Sequence, residues 1–184
     1  MSRSVARLVV FSVGLVCLAG ATGAPGVWLD VPFVRQEKDG CGAASISMVM
    51  HYWDRTKSQA PSAQTDPRAI QQALYSREAK GIFSSAMQRY FEQVGFRTFS
   101  FRGEWADLKD HLSKGRPLIV CLKGPGRRDP LHYVVVAGLD WQHDLVFLND
   151  PAQRKLLRKD RAEFEKGWRA AGNWTLLALP GQDQ

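Results

Sequence analysis

The amino-acid sequence predicts an α+β fold in which helices come first and an antiparallel sheet follows. Apolar residues recur at helical spacing in most segments before residue 115, whereas short apolar runs bounded by turn residues dominate after it. The 184 residues, 45% of them hydrophobic, suffice for one domain with a substantial core. This order differs from the regular βαβ alternation of a parallel sheet.

The first structured segment is predicted to be extended and to lead into a long helix. Residues 27–34 have the composition of a strand, and Pro32 favours an edge or irregular position. A helix is predicted from Cys41 to about Trp53. Its buried face carries Ile46, Val49, Met50 and Trp53, at positions i, i+3, i+4 and i+7.

Three shorter segments before residue 116 are also predicted to be helical. Asp66 and Pro67 indicate the start of one helix, which we expect to reach Ser76, because proline is well tolerated in a first turn. The other two are expected at residues 84–95, capped by one of the two leading serines and stopped by the final glycine, and at 105–115.

The second half of the chain is predicted to supply most of the sheet. The expected strands are residues 96–101, 117–122, 132–139, 145–148 and 174–179, with a last helix at 160–171. The most basic stretch, residues 154–161, is interpreted as a solvated loop and the start of that helix. The formal net charge is +7, but no basic run is interleaved with aromatic residues, which argues against a nucleic-acid groove.

The first residues have the three-part layout of a secretory signal peptide. Arg3 and Arg7 precede an apolar stretch at residues 8–18, which is too short for a spanning helix, and small residues follow. We predict a signal peptide at residues 1–21, with cleavage after Ala24 as the alternative, and a folded domain at 27–180. The protein is therefore expected to be extracytoplasmic, periplasmic or secreted, with a membrane tether only if the signal is retained.

Cys41 is the candidate nucleophile. A helix start presents free N–H groups and a partial positive charge, and both stabilise a thiolate. The alternative is a buried small residue, the usual fate of a free cysteine. Cys121 lies in an apolar run typical of a buried strand, so a Cys41–Cys121 disulfide is the less favoured interpretation. The cysteine and histidine spacing predicts no metal site.

His132 is the candidate base among the four histidines. It begins a strongly apolar predicted strand directly after a loop rich in glycine and proline, where it can face a cleft. His51 is roughly 15 Å from Cys41 by helical rise, and His111 and His143 lie on a short helix and in a polar turn. A strand-end histidine solvated by water is the alternative for His132.

Asp150 is the candidate partner that orients His132. It ends the next predicted strand, and a hairpin through residues 140–144 brings it near His132 with an offset of two residues, which a bulge can absorb. A carboxylate there fixes the tautomer of the ring and stabilises the imidazolium. Asn149 competes for this role, although alternation places its side chain on the opposite face. A turn residue before proline is the simpler interpretation of Asp150.

Gln36 is the fourth candidate. Its amide, four residues before Gly40, can reach over the thiol, where its NH2 group and the Cys41 backbone N–H form an oxyanion site. The neighbouring charged residues 37–39 make this assignment weak on the residues alone.

Three segments together resemble a known family. The stretch QEKDGCGAAS, followed by HYVVVAGLD and then LNDP, is similar to the bacteriocin-processing, double-glycine type cysteine peptidases. The resemblance covers about residues 29–179 and implies a papain-like fold. It also implies that Cys41 is the nucleophile, His132 the base, Asp150 its orienter and Gln36 the oxyanion glutamine.

Two features depart from the family pattern. Gly40 stands where the family usually has an acidic residue, and Asp39 is one place earlier. No transporter segment accompanies the domain, and a signal peptide directs it away from the cytoplasm. The chemistry is therefore better supported than a double-glycine substrate.

The sequence thus predicts an exported thiol peptidase that acts on peptides or proteins without a cofactor. Two alternatives stay open: another acyl-transfer enzyme with the same Cys-His-Asp order, such as an amidase, and a peptide-binding module without turnover.

Overall fold

The computed structural model describes residues 26–60 and 62–181, so the signal segment predicted at residues 1–21 lies outside the described residues. The predicted α+β class is confirmed, with five α-helices and a seven-stranded antiparallel sheet in the described part. The elements are β1 (Gly26–Trp28), α1 (Cys41–Thr56), α2 (Pro67–Leu74), α3 (Ser84–Gln93), β2 (Phe96–Arg102), α4 (Trp105–Ser113), β3 (Leu118–Lys123), β4 (Leu131–Asp140), β5 (Leu145–Asn149), β6 (Leu157–Asp160), α5 (Arg161–Ala170) and β7 (Trp174–Pro180), with a 3-10 turn at Ala63–Thr65.

The sheet lies between two layers of helices. Its strands run in the order β2-β7-β3-β4-β5-β6, and β1 pairs with the end of β4. Ile119 and Cys121 of β3 belong to the core shared with α1, α2 and α3, whereas Leu118 and Val120 belong to the core shared with α4 and α5. The central strands are buried on both faces, which explains why their sequences are continuous apolar runs.

Helix α1 is buried far more completely than one apolar stripe would require. Every residue from Gly42 to Met50 is buried, because the helix packs against the sheet on one side and against α2 and α3 on the other. A Cβ atom at Gly42 would lie 3.0 Å from the Cβ of Ile82, so the missing side chain lets that segment lie close beside the start of the helix.

The hairpin of β4 and β5 contains the predicted irregularity. Leu145 pairs with Asp140, but the register shifts between Val136 and Gly138, so Asn149 lies opposite Val135. The carbonyl oxygen of Ala137, inside this bulge, accepts a hydrogen bond of 2.7 Å from Leu29 N. The bulge therefore moves the end of β5 toward His132, as expected of an extra residue in one strand.

Several details differ from the sequence-based expectations. The predicted strand at 27–34 is regular only over β1, and an extended segment without regular pairing follows it to residue 37. Strand β6 replaces part of the loop expected at 154–161, because its alternating Leu157 and Lys159 are half-buried while Arg158 and Asp160 are exposed. In α3 the capping position is Phe83, and Ser84 is the first helical residue.

Helices in the described ranges are all too short or too polar to cross a membrane.

Candidate active site

Cys41 occupies the first position of α1, as predicted. The capping residue is Gly40, which makes no side-chain hydrogen bond to the helix. The first N–H groups of the helix therefore remain available as donors to another partner. The preceding Asp39 has φ 56°, and Gly40 N donates to Glu37 O at 3.0 Å, which together make a tight turn. Cys41 itself is partly exposed and is a free thiol.

Space explains why glycine stands before the cysteine. A Cβ atom at position 40 would lie 2.7 Å from the side-chain oxygen of Gln71 and 3.1 Å from the carbonyl oxygen of Glu37. Gln71 is held there, since its amide donates to Lys38 O at 2.8 Å. A side chain at position 40 would therefore require the Gln71 amide to move and the turn to shift slightly.

His132 and Asp150 form a hydrogen-bonded pair. His132 Nε2 and Asp150 Oδ1 are 2.8 Å apart. The side chain of Asp150 is only 4% exposed, whereas that of His132 is 28% exposed, so a substrate can reach the ring but not the carboxylate. Since the carboxylate accepts from Nε2, the nitrogen that remains for another group is Nδ1.

Cys41 is the other neighbour of the His132 ring. Burial alone lowers the pKa of His132, but hydrogen bonds to Asp150 and to Cys41, with the charges of both, raise the pKa to about 9. The structure thus brings Cys41, His132 and Asp150 together in that order, and the ring is protonated at neutral pH. An imidazolium beside a cysteine is a neighbour that can stabilise a thiolate.

The Asp150 carboxylate accepts three hydrogen bonds. Ala152 N donates to Oδ1 at 3.0 Å and Gln153 Nε2 donates to Oδ2 at 2.6 Å, in addition to the bond from His132. Burial raises the pKa of Asp150, but the donors and the charge of His132 outweigh it and lower the pKa below its ordinary value. Gln153 was not among the predicted site residues, since its only signal is a polar residue in the turn after Asp-Pro.

Asn149 does not compete for His132. Its amide nitrogen donates to Val31 O at 3.0 Å, and its oxygen accepts from Leu156 N at 3.0 Å. The side chain is fully buried, and it ties the N-terminal extended segment and the β5–β6 loop to the end of β5. Its role is structural, as the alternation along the strand suggested.

Gln36 lies beside the loop that follows Asp150. Gln36 N donates to Pro151 O at 3.0 Å, and the residue lines, with Gly40, a cavity of about 370 Å³. Its Oε1 atom is buried and has no hydrogen-bond partner within residues 26–60 and 62–181. A buried amide oxygen without a partner is costly. Neither Cys41 nor His132 is among the residues that line this cavity.

The other histidines lie outside this cluster, and Cys121 is buried beside it. Burial lowers the pKa of His51 and of His111, and His143 Nδ1 pairs with Asp140 Oδ2 at 2.7 Å in the exposed β4–β5 turn. Burial raises the pKa of Cys121 to about 12, which leaves it an unreactive thiol. Among the residues that the structure describes, no three His, Cys, Asp or Glu side chains are grouped as a metal site would require.

Comparison with known proteins identifies the family. The model of the Peptidase_C39-like family matches residues 28–176. The chain belongs to this family. Membership indicates a cysteine peptidase, and the resemblance found in the sequence is confirmed. A search of curated proteins gave no match.

Solved structures of Peptidase_C39-like domains share the fold. A C39-like peptidase from Bacillus anthracis has 14% identity and a TM-score of 0.66, covering 86% of this chain and 99% of that one. The peptidase domain of Streptococcus ComA, a bifunctional ABC transporter, has 21% identity and a TM-score of 0.61, covering 82% and 98%. A double-glycine motif protease of an AMS/PCAT transporter, in complex with its leader peptide, has 22% identity and a TM-score of 0.61, covering 84% and 94%.

The roles of Asn149 and Asp150 can be separated by substitution. We expect Asn149→Ala to lower the free energy of unfolding by about 2 kcal/mol, because it leaves Val31 O and Leu156 N without partners. In the same variant, the rate at which Cys41 is alkylated at pH 6 should stay within about twofold of the wild-type rate, since the His132–Asp150 pair is untouched.

Urea unfolding and iodoacetamide labelling followed by mass spectrometry measure the two effects. Gln142→Ala in the exposed β4–β5 turn is the control and should change neither. Loss of low-pH labelling in a folded Asn149→Ala variant would assign the orienting role to Asn149 instead.

Proposed function

We propose that the protein is an exported cysteine peptidase that hydrolyses peptide bonds with Cys41, His132, Asp150 and Gln36. The observation that carries the proposal is the hydrogen bond between the His132 ring and the buried Asp150 carboxylate, with Cys41 at the start of α1 as the other neighbour of the ring. The family of cysteine peptidases to which the chain belongs supports the same chemistry.

The reaction follows from the position of each group. The Cys41 thiolate attacks the carbonyl carbon of the scissile bond and forms a C–S bond, while the carbonyl oxygen becomes an oxyanion. The Cys41 N–H and the Gln36 amide are the proposed donors to that oxyanion. The His132 imidazolium gives its proton to the leaving amine as the C–N bond breaks, which leaves an acyl-enzyme.

Hydrolysis completes the cycle. Neutral His132 takes a proton from water, and the resulting hydroxide attacks the thioester carbonyl. The C–S bond breaks, the carboxylic acid product leaves, and the Cys41 thiolate is restored beside a protonated His132. Asp150 keeps the ring in one orientation through both steps, and its charge stabilises the imidazolium.

A peptide is the proposed substrate class. The transporter-associated protease with the same fold was solved with a leader peptide bound. Whether cleavage requires a double-glycine motif in the peptide is a separate question, and comparing substrates with and without that motif answers it.

Peptide cleavage should depend on the cysteine and the histidine. We expect the reduced mature protein to cleave members of a mixed peptide library, with and without Gly-Gly motifs. Cys41→Ala should abolish cleavage, and His132→Ala should reduce kcat by about 1,000-fold or more, because the two residues act as one unit. Mass spectrometry of the products measures both effects.

Cys121→Ala is the matched control for loss of a thiol and should remain active. If Cys41 labels with iodoacetamide well below the free-thiol pKa of about 8.5 but no peptide is cleaved, another acyl-transfer reaction replaces hydrolysis. If Cys41 does not label below pH 8 at all, the peptide-binding module without turnover becomes the better description.

The pH dependence should report the raised pKa of His132. The imidazolium persists up to a pKa of about 9, so kcat/KM should fall as the pH rises through that value and the leaving amine loses its proton donor. In Asp150→Asn the carboxylate no longer raises this pKa, while burial still lowers it. The alkaline limb should therefore move to lower pH by about one unit or more.

Asp140→Asn is the control for this shift. It breaks the exposed His143–Asp140 pair in the same hairpin and should leave the profile unchanged. An alkaline limb that stays in place in Asp150→Asn would remove Asp150 from the proposed site.

We also propose export, on the signal-like residues 1–21. Arg3, Arg7, the apolar stretch at 8–18 and the small residues that follow are the support. N-terminal sequencing of the protein recovered outside the cytoplasm should begin at residue 22, or at 25 if the later site is used. Protein found only inside the cytoplasm with residue 1 intact would contradict export.

A further inference from the structure

The turn after β5 contains a fifth residue that touches the proposed site through Asp150. Gln153 Nε2 donates to Asp150 Oδ2 at 2.6 Å, the shortest of the three bonds that this carboxylate accepts. Oδ1 is occupied by His132 and Ala152 N, so Gln153 is the protein group that holds the other oxygen. A carboxylate fixed at both oxygens cannot rotate about its bond to Cβ.

The side chain of Gln153 is not needed to form the turn in which it lies. Gln153 N donates to Asp150 O at 2.9 Å, and Asp150 N donates to Arg154 O at 3.2 Å, so backbone bonds close the turn. The residue itself is exposed. An exposed side chain contributes little core packing, so its short bond to a buried carboxylate requires another explanation.

The backbone around Gln153 is also tied to the Gln36 segment. Arg35 Nη2 donates to Gln153 O at 3.2 Å, and Gln36 N donates to Pro151 O at 3.0 Å. The turn that carries the carboxylate and the segment that carries the proposed oxyanion donor therefore form one hydrogen-bonded unit. A fixed position of Gln153 follows from these two bonds.

We propose that Gln153 is a positioning residue of the active site, which acts by orienting the Asp150 carboxylate toward His132. The inference rests on the proposed function for its kinetic consequence. Without the amide, water can compete for Oδ2 and the carboxylate can turn away from the ring. The His132 imidazolium then loses orientation at the moment of proton transfer, while the surface that binds the peptide is unchanged.

Two substitutions at one position test the proposal. Gln153→Met keeps the length of the side chain and removes its donor, so we expect kcat to fall about tenfold with KM within about twofold. Gln153→Glu restores a donor when the new carboxylic acid is protonated, and places a second negative charge beside Asp150 when it is ionised. Its activity relative to wild type should therefore rise as the pH is lowered from 8 to 5.

The matched control is Gln88→Met on α3. Gln88 Nε2 donates to the carboxylate of Glu92 at 3.3 Å, so this variant also removes an amide-to-carboxylate bond, but one on the surface. It should leave kcat and the pH profile unchanged. Urea unfolding of all variants compares their stabilities, and we expect Gln153→Met to stay folded with a free energy of unfolding lower by about 1–2 kcal/mol, since Asp150 Oδ2 loses its donor.

The rate of Cys41 alkylation at pH 6 separates this inference from the proposed function. If the wild type labels rapidly, Gln153→Met labels slowly and no peptide is cleaved by either, the positioning role stands and the peptidase assignment fails. If the wild type cleaves peptides and Gln153→Met matches it in kcat and in labelling, the positioning role fails alone. The positioning role would likewise be overturned if the activity of Gln153→Glu relative to wild type did not change between pH 8 and pH 5.

Discussion

The hydrogen bond between His132 and Asp150 is the contact on which the site depends, and it is set by the register of one hairpin. With Asp140 opposite Leu145 and no bulge, Asn149 would lie opposite Val136, but the shift before Gly138 places it opposite Val135. Asp150 is thus one residue nearer to His132 than a regular hairpin allows. Because a one-residue slip exchanges the faces of a strand, the same shift also decides which of Asn149 and Asp150 meets the ring.

Much of this arrangement could be predicted because the signals are local. The small residues around Cys41, the apolar strand that begins at His132 and the Asp-Pro that ends the next strand each carry a recognisable pattern. The β4–β5 hairpin connects His132 to the Asp-Pro at residue 150, and counting residues outward from its turn shows that the two lie near each other. The sequence could not state that β4 contains a bulge, since no residue type there requires one.

The features that escaped prediction depend on long-range packing. Strand β6 contains mostly charged residues, and it is a strand because β5 offers it an edge, which is a property of the assembled sheet. The limited space at Gly40 involves Gln71, which lies 31 positions further along the chain and approaches only after α2 has packed on α1. Gln153 and Asp150 are only three residues apart, but polar residues occur in turns for several different reasons, so the sequence does not single out this hydrogen bond.

The electrostatics of the site explain why so many donors surround one carboxylate. A buried imidazolium–carboxylate pair loses its hydration, and attraction between the two charges repays this only when the remaining polar atoms are satisfied. Asp150 meets that condition with donors from Ala152 and Gln153, so it stays ionised despite its burial. Its charge in turn keeps His132 protonated at neutral pH, which opposes the effect of burial on the ring. The reactivity proposed for Cys41 therefore originates in a turn that the thiol does not touch, and the order of dependence runs from that turn to the carboxylate, to the ring and then to the sulfur.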